Sequence, residues 1–370
     1  MIYLDNAATT LQKPPAVYGA VMEAMRRCAN PGRGGYQAAH LAEQTVFQTR
    51  SLAAAMFDCD VDRVCFTACA TEGLNIAIRS LIHPGDRVVV SGLEHNAVTR
   101  ALHAVGAEAV PVRAPLFSAQ DWLESFAEAL KKPVSAVVCL HVSNVFGAIL
   151  PMDEISGICR ERGVPLIVDA SQSAGLLPVK LKKWQAAYIA MPGHKGLYGP
   201  QGTGLLLCGQ MPEPLRFGGT GSLSASQRMP DFLPDRVEAG TMNVPGIAGL
   251  GAGLRYLQSR NLDAELRRQQ SLIRFTATSL QELGVKSFFG QNQAGVLSIV
   301  IPGSDPEEAC GFYGRHGVCL RAGLHCAPLA HQTAGTFPAG TVRLSLSSYT
   351  SKADLEQFLA WTGRLLRKKS

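Results

Sequence analysis

Ala136-Val-Val-Cys-Leu-His141, a helical pattern over Pro151–Arg162, and then Leu166-Ile-Val-Asp169 make up the stretch on which the fold is decided. The two flanking runs have strand length and are rich in Val, Ile and Leu. They lack the polar–apolar alternation of a half-exposed strand, as parallel strands covered on both faces do. The segment between them opens with Pro151 and carries Asp153 and Glu154 in its first turn. It closes with Arg160, Arg162 and Gly163, and it keeps Ile155, Ile158 and Cys159 on one face. Strand, helix and strand in this order predict a parallel pair joined by a crossover helix.

Val64–Thr67, Arg87–Ser91, Ala109–Val112, Ala187–Ala190 and Leu205–Cys208 repeat the strand pattern on either side. The expectation is an α/β fold whose large domain, residues 14–245, has a mostly parallel seven-stranded sheet flanked by helices. After about Pro245 the pattern changes to a long helical stretch, Asp263 to Leu283. The strand-like Gly295–Ile301, Val318–Arg321 and Val342–Leu346 follow, and a helix from Ser351 to Leu366 opens with a Ser-x-x-Asp cap. These segments predict a smaller α+β C-terminal domain of residues 246–370, joined by residues 1–13.

The bulk numbers fit a globular enzyme-sized chain. At 370 residues it is long enough for two cores, and 46% hydrophobic against 17% charged residues excludes a disordered linker protein. The net charge of +6 is scattered, so no nucleic-acid groove is expected. No apolar run reaches the roughly 18 residues of a membrane helix. Asp5 stands where a signal peptide would need its basic and apolar regions, so a cytoplasmic location is expected. The ten cysteines contain no CxxC pair and are read as free thiols.

In open α/β sheets ligands bind beyond the carboxyl ends of the strands. The residues there are Ala70-Thr71-Glu72-Gly73-Leu74-Asn75, Leu93-Glu94-His95-Asn96, Ser143-Asn144, Asp169-Ala-Ser-Gln172 and Gly193-His194-Lys195-Gly196. A helix N-terminus able to cradle a phosphate, a carboxylate at a strand end, a ring-bearing histidine and a glycine-flanked lysine together suggest pyridoxal 5'-phosphate. Taken singly, Lys195 reads as a surface lysine, Asp169 as a cap or turn residue, Thr71 as an N-cap and His95 as a core or surface histidine. Their order and spacing carry the reading.

With these motifs the chain resembles the cysteine desulfurases and the similar selenocysteine lyases, within the class V aminotransferase group of fold-type I pyridoxal-phosphate enzymes. The resemblance runs from Tyr3-Leu-Asp-Asn-Ala-Ala-Thr-Thr10 to the last helix. It includes Glu238-Ala-Gly-Thr241-Met-Asn243, Arg321–Pro328 and Thr341–Leu346. It implies that Lys195 is the Schiff-base lysine, that Asp169 pairs with the pyridine nitrogen, that Gln172 contacts the phenolic oxygen and that His95 stacks on the ring. Thr71, Glu72 and His194 would belong to the cofactor site, with Thr241 reaching the phosphate from the other subunit of a homodimer. Asn144, Arg343 and Arg321 would hold the substrate, and Cys326 would take the sulfur. Pro192 stands where the family usually has Ser or Thr, so one phosphate contact is expected to be lost or replaced.

The implied reaction removes sulfur from L-cysteine, giving L-alanine and a persulfide on Cys326 for transfer to an acceptor protein. His325 and Arg321 are expected to lower the Cys326 pKa, and the short stretch from Cys326 to Arg343 implies limited reach. One alternative is a lyase for selenocysteine or another β-substituted amino acid using the same Lys195 and Asp169. A remoter one is a non-enzymatic nucleotide- or metal-binding regulator. That alternative rests on the glycine-rich stretches at 199–204 and 249–253 and on His325, Cys326 and His331, although GxGxxG and HExxH frames are missing and no metal is assigned.

Overall fold

The computed structural model describes residues 1–32 and 34–369. Strand β1 (Ile2–Tyr3) and helices α1 (Pro15–Arg27) and α2 (Gln37–Phe57) precede the large sheet. Its strands are β2 (Val64–Thr67), β3 (Arg87–Ser91), β4 (Glu108–Val112), β5 (Ala136–Leu140), β6 (Leu166–Asp169), β7 (Tyr188–Pro192) and β8 (Gly204–Cys208). They lie in the order β2-β8-β7-β6-β5-β3-β4. From β4 to β7 every pairing is parallel, while β8 runs antiparallel to both β7 and β2. The mostly parallel seven-stranded sheet expected from the sequence is therefore present.

Alternate residues of one strand serve opposite cores. Val89, Val137, Cys139 and Val168 face one apolar cluster, and Val88, Val90, Ala136, Val138 and Ile167 face the other. Both faces are dry, which is why these runs show no polar alternation. The crossovers are α3 (Ala70–Leu81), α4 (Asn96–Ala104), α5 (Ala119–Ala129), α6 (Met152–Glu161) and the short α7 (Leu181–Trp184). Helix α6 matches the Pro151–Arg162 signal to within one residue at each end.

Helix α8 (Val244–Gln258) begins at the point where the sequence reading divides the chain. It nevertheless buries Ile247, Leu250, Leu254 and Leu257 in the core of the large sheet, against α1 and α2. Its Gly251 lies against α2, where an added Cβ would sit 2.4 Å from Thr49 Oγ1.

The remaining helices are α9 (Leu262–Glu282), α10 (Pro306–Arg315), α11 (Pro328–Ala334) and α12 (Lys352–Lys369). A second, antiparallel sheet has the order β12-β13-β10-β9, built from β9 (Lys286–Phe288), β10 (Val296–Val300), β12 (Arg321–Gly323) and β13 (Thr341–Ser345). The single strand expected over Val318–Arg321 is split. Its first half, β11 (Val318–Cys319), pairs in parallel with β1, while Arg321 opens β12 and pairs with β13. The N-terminal Ile2 and Leu4 are buried in this smaller core beside Val318, Leu344 and Phe358. Among the described residues no helix is long and apolar enough to cross a membrane.

Candidate active site

The chain order reverses beside β3 and β5, and the carboxyl ends of β3, β5, β6 and β7 converge with the start of α3 on one cavity. Thr71, His95, Asn144, Asp169, Gln172, His194 and Lys195 all line it, with Cys69 and Pro192. Seven residues singled out from the sequence thus meet at one place.

Lys195 follows β7 on a tight turn closed by Gly199 N–H donating to the Gly193 carbonyl at 2.7 Å. Glycine is needed at 196, because an added Cβ would stand 2.3 Å from the Ala174 carbonyl oxygen. Enclosure of the ammonium group lowers the Lys195 pKa to about 8; Asp169 pulls it up, while Arg343 and Arg321 push it further down. A lysine in this range offers a neutral amine near neutral pH. Asp169, buried at the end of β6, accepts the Ser171 N–H at 2.9 Å through Oδ1.

His95 caps α4: its Nδ1 accepts the Ala97 N–H at 3.0 Å. That bond fixes the ring plane and assigns the proton of the neutral imidazole to Nε2. Burial, opposed by Asp169 and reinforced by Lys195, lowers the pKa of His95. His194 is likewise lowered to about 4, chiefly by burial and then by Lys195 and Lys13, and its Nδ1 lies 3.1 Å from Thr9 Oγ1. Gln172 donates from Nε2 to the Ala7 carbonyl at 2.9 Å, tying the cavity to the N-terminal segment.

Glu72 and Thr241 do not line this cavity, Thr241 having been expected to reach the phosphate of the partner subunit. Glu72 accepts the Ala68 N–H at 2.5 Å and pairs with Arg216 at 2.7 Å, so it organises the turn before α3 from outside the cavity. A carboxylate facing the phosphate position would repel an anion. Thr241 lies in the loop before α8 and lines a separate cavity with Arg216 and Glu238. That loop is held by a buried bidentate pair: Arg50 Nη1 and Nη2 donate to the two Glu238 oxygens at 2.7 and 2.9 Å. Glu238 Oε1 also accepts the Phe66 N–H at 2.6 Å.

The two arginines meet at Asp5, a residue assigned no role in the site from sequence. Arg343, 3% exposed, donates from Nη2 to Asp5 Oδ1 at 2.7 Å and from Nη1 to the Asn144 carbonyl at 3.0 Å. Arg321 Nε donates to Asp5 Oδ2 at 3.0 Å. One carboxylate therefore bridges both cations, and Arg343 Nε is left buried without a partner. Glu94 is the second such residue. It is fully buried, with Oε1 accepting from Ser91 Oγ at 2.5 Å and from the Leu140 N–H at 2.8 Å, while Oε2 has no partner. Desolvation pushes its pKa up to about 8, with the Asp169 charge adding to the effect. Its position beside His95 was visible in the sequence, but its burial was not.

Cys326 is the only exposed cysteine of the ten. Its carbonyl accepts the Asn96 N–H at 2.6 Å, directly after His95, so the loop rests on the rim of the Lys195 cavity. The expected activation by His325 and Arg321 is not what the geometry offers. His325 turns inward, with Nε2 3.2 Å from the Thr341 carbonyl, and burial drives its pKa down to about 2, so it carries no charge. Arg321 is committed to Asp5. The His325 and His331 rings lie 5.7 Å apart. No group of three or more His, Cys, Asp or Glu side chains able to hold a metal ion occurs among the described residues.

This constellation has relatives. The family model "Aminotransferase class-V" matches residues 2–358. The chain belongs to the class-V aminotransferase family. A protein of Pyrococcus abyssi described as a probable cysteine desulfurase is 30% identical over 99% of this class-V chain and 94% of its own length. The apo structure of a cysteine desulfurase from Thermococcus onnurineus superimposes with a TM-score of 0.91 at 30% identity, covering 99% of this chain and 95% of that one. A cystine C–S lyase in complex with cysteine persulfide shares the class-V fold at a TM-score of 0.84 and 23% identity.

Proposed function

We propose that this chain is a pyridoxal-phosphate-dependent cysteine desulfurase. The observation that carries the reading is the docking of the exposed Cys326 on the N–H of Asn96, the residue after His95, at the rim of the cavity that holds Lys195 and Asp169. The residues fit the cofactor. Lys195 is an amine of lowered pKa, Asp169 supplies a carboxylate for a ring nitrogen, and no side chain caps the first turn of α3 at Cys69. Free N–H groups at a helix N-terminus suit a phosphate, with Thr71 and His194 beside them. Bound there, pyridoxal phosphate supplies a conjugated electron sink for the pair released from the substrate's Cα–H bond.

The chain's own groups do the rest. Lys195, once free, takes the α-proton. His95, neutral and fixed by its cap bond, presents a ring face without adding positive charge. Cys326 as thiolate attacks the sulfur of the substrate cysteine; the Cβ–S bond breaks with its electron pair left on carbon, which takes up a proton to give alanine, and the sulfur stays on Cys326 as a persulfide. Arg343 supports the substrate carboxylate while sharing its charge with Asp5. An exposed persulfide is open to an acceptor protein. The reading includes a cytoplasmic homodimer in which Thr241 of the partner subunit completes the phosphate site.

The test is incubation with L-cysteine, with alanine and the Cys326 persulfide both quantified. Wild type is expected to yield both. Lys195→Ala should yield neither, and Cys326→Ala should lose the persulfide together with most alanine formation. Unchanged alanine production by Cys326→Ala removes the role given to that thiol.

A further inference from the structure

The Cys326 loop is joined to the cavity by two hydrogen bonds. One is the Asn96 N–H to the Cys326 carbonyl at 2.6 Å. In the other, Asn144 Nδ2 donates to the His325 carbonyl at 2.9 Å. The loop backbone does not favour this shape by itself: His325 and Cys326 have φ values of 50° and 55°, both in the left-handed region that side chains other than glycine seldom adopt. One bond within the loop, from the Ala327 N–H to the Leu324 carbonyl at 2.8 Å, closes this turn, and the bonds from Asn96 and Asn144 hold it against the cavity.

Asn144 is built for that task. Its carbonyl accepts Arg343 Nη1 at 3.0 Å, which fixes its backbone beneath the loop. Its carboxamide nitrogen faces the His325 carbonyl, and this orientation leaves Oδ1 buried with no donor. A reversed amide would set two oxygens against each other, so the loop bond decides which way the group points. The same side chain lines the cavity of Lys195.

We propose that Asn144 is the latch of the cysteine loop. Its side-chain amide holds the His325–Cys326 backbone in the left-handed form that keeps the thiol at the rim of the Lys195 cavity. It is a positioning residue for Cys326, and one of its two N–H hydrogens is already spent on the loop when a substrate carboxylate arrives. Transfer of sulfur to Cys326 rests on the desulfurase reading above; the latch does not.

The experiment is hydrogen exchange of the holoenzyme without substrate, read on the peptide spanning residues 93–99, which contains the Asn96 amide, in wild type, Asn144→Ala and Asn144→Asp. Loss of one net hydrogen bond to the loop is expected to speed Asn96 exchange about fivefold. Amides of β5 and β6 should exchange as in wild type. In parallel, the rates of Cys326 persulfide and alanine formation should fall together. If Asn144→Ala does not fold, Asn144→Asp, of equal size but presenting an acceptor to the His325 carbonyl, supplies the same readout. Unchanged Asn96 exchange overturns the latch even where wild type forms persulfide. Faster exchange with no persulfide in wild type upholds the latch and sinks the desulfurase reading instead.

Discussion

Replacing Glu94 with glutamine removes a buried proton-binding site at the end of β5, and the effect on stability follows from its surroundings. The carboxyl is fully buried, satisfied on one oxygen only, and near Asp169. Its pKa, about 4.5 in an unfolded chain, is pushed up to about 8 in the fold. Between these two values the native state keeps a proton that the unfolded state has given up, so stability falls as pH rises. At 1.36 kcal/mol per pH unit, the gap between 4.5 and 8 amounts to about 5 kcal/mol. The contribution is complete below pH 4.5 and has gone once pH passes about 8. Glutamine keeps the shape and an acceptor for Ser91 and Leu140 but has no proton to lose. Denaturant titrations of wild type and Glu94→Gln from pH 4 to pH 9 should therefore show the variant gaining on wild type by about 5 kcal/mol. For a chain of this length that corresponds to roughly 6 °C in melting temperature. A difference that stays flat across the range refutes the assignment of a buried, protonated Glu94.

Two further outcomes can be checked directly. Arg50→Ala leaves the Glu238 carboxylate buried and unpaired in contact with the Phe66 amide, and should cost about 3–5 kcal/mol in denaturant titration. Arg50→Lys, which cannot make the bidentate contact, should fall between that variant and wild type. A chromogenic disulfide reagent added to the native protein should show one fast thiol, lost in Cys326→Ser. The other nine cysteines, buried or only partly accessible, should react slowly until the chain is denatured; several fast thiols would contradict the packing.

The large sheet was readable because its strands are buried on both faces. An uninterrupted Val-Val-Cys-Leu run at β5 has few other uses, and Pro151 to Gly163 punctuates a helix at both ends. Helix α2 and the split of β11 from β12 were not readable in this way. Leu320 is only the point at which consecutive residues change partners, and no local signal encodes a change of partner. In the cavity, residue type and position after a strand were enough to bring together Thr71, His95, Asn144, Asp169, Gln172, His194 and Lys195. The roles expected of His325 and Arg321 depended on which way side chains turn. His325 goes inward to Thr341, and Arg321 goes to a carboxylate 316 positions away in sequence. Such long-range pairings leave no periodic trace.

The Asp5 bridge also has a consequence for the order in which the protein can be completed. Asp5 and Arg343 are 338 positions apart, yet they close one buried ion pair. Asp5 is synthesised long before its partners Arg321 and Arg343, which follow 316 and 338 positions later. During synthesis β1 has no strand to join, and its apolar Ile2 and Leu4 have no core to enter. Long-range closures of this kind are late and slow events. The charge balance around Arg343 is thus set only after both members of this long-range pair have been made.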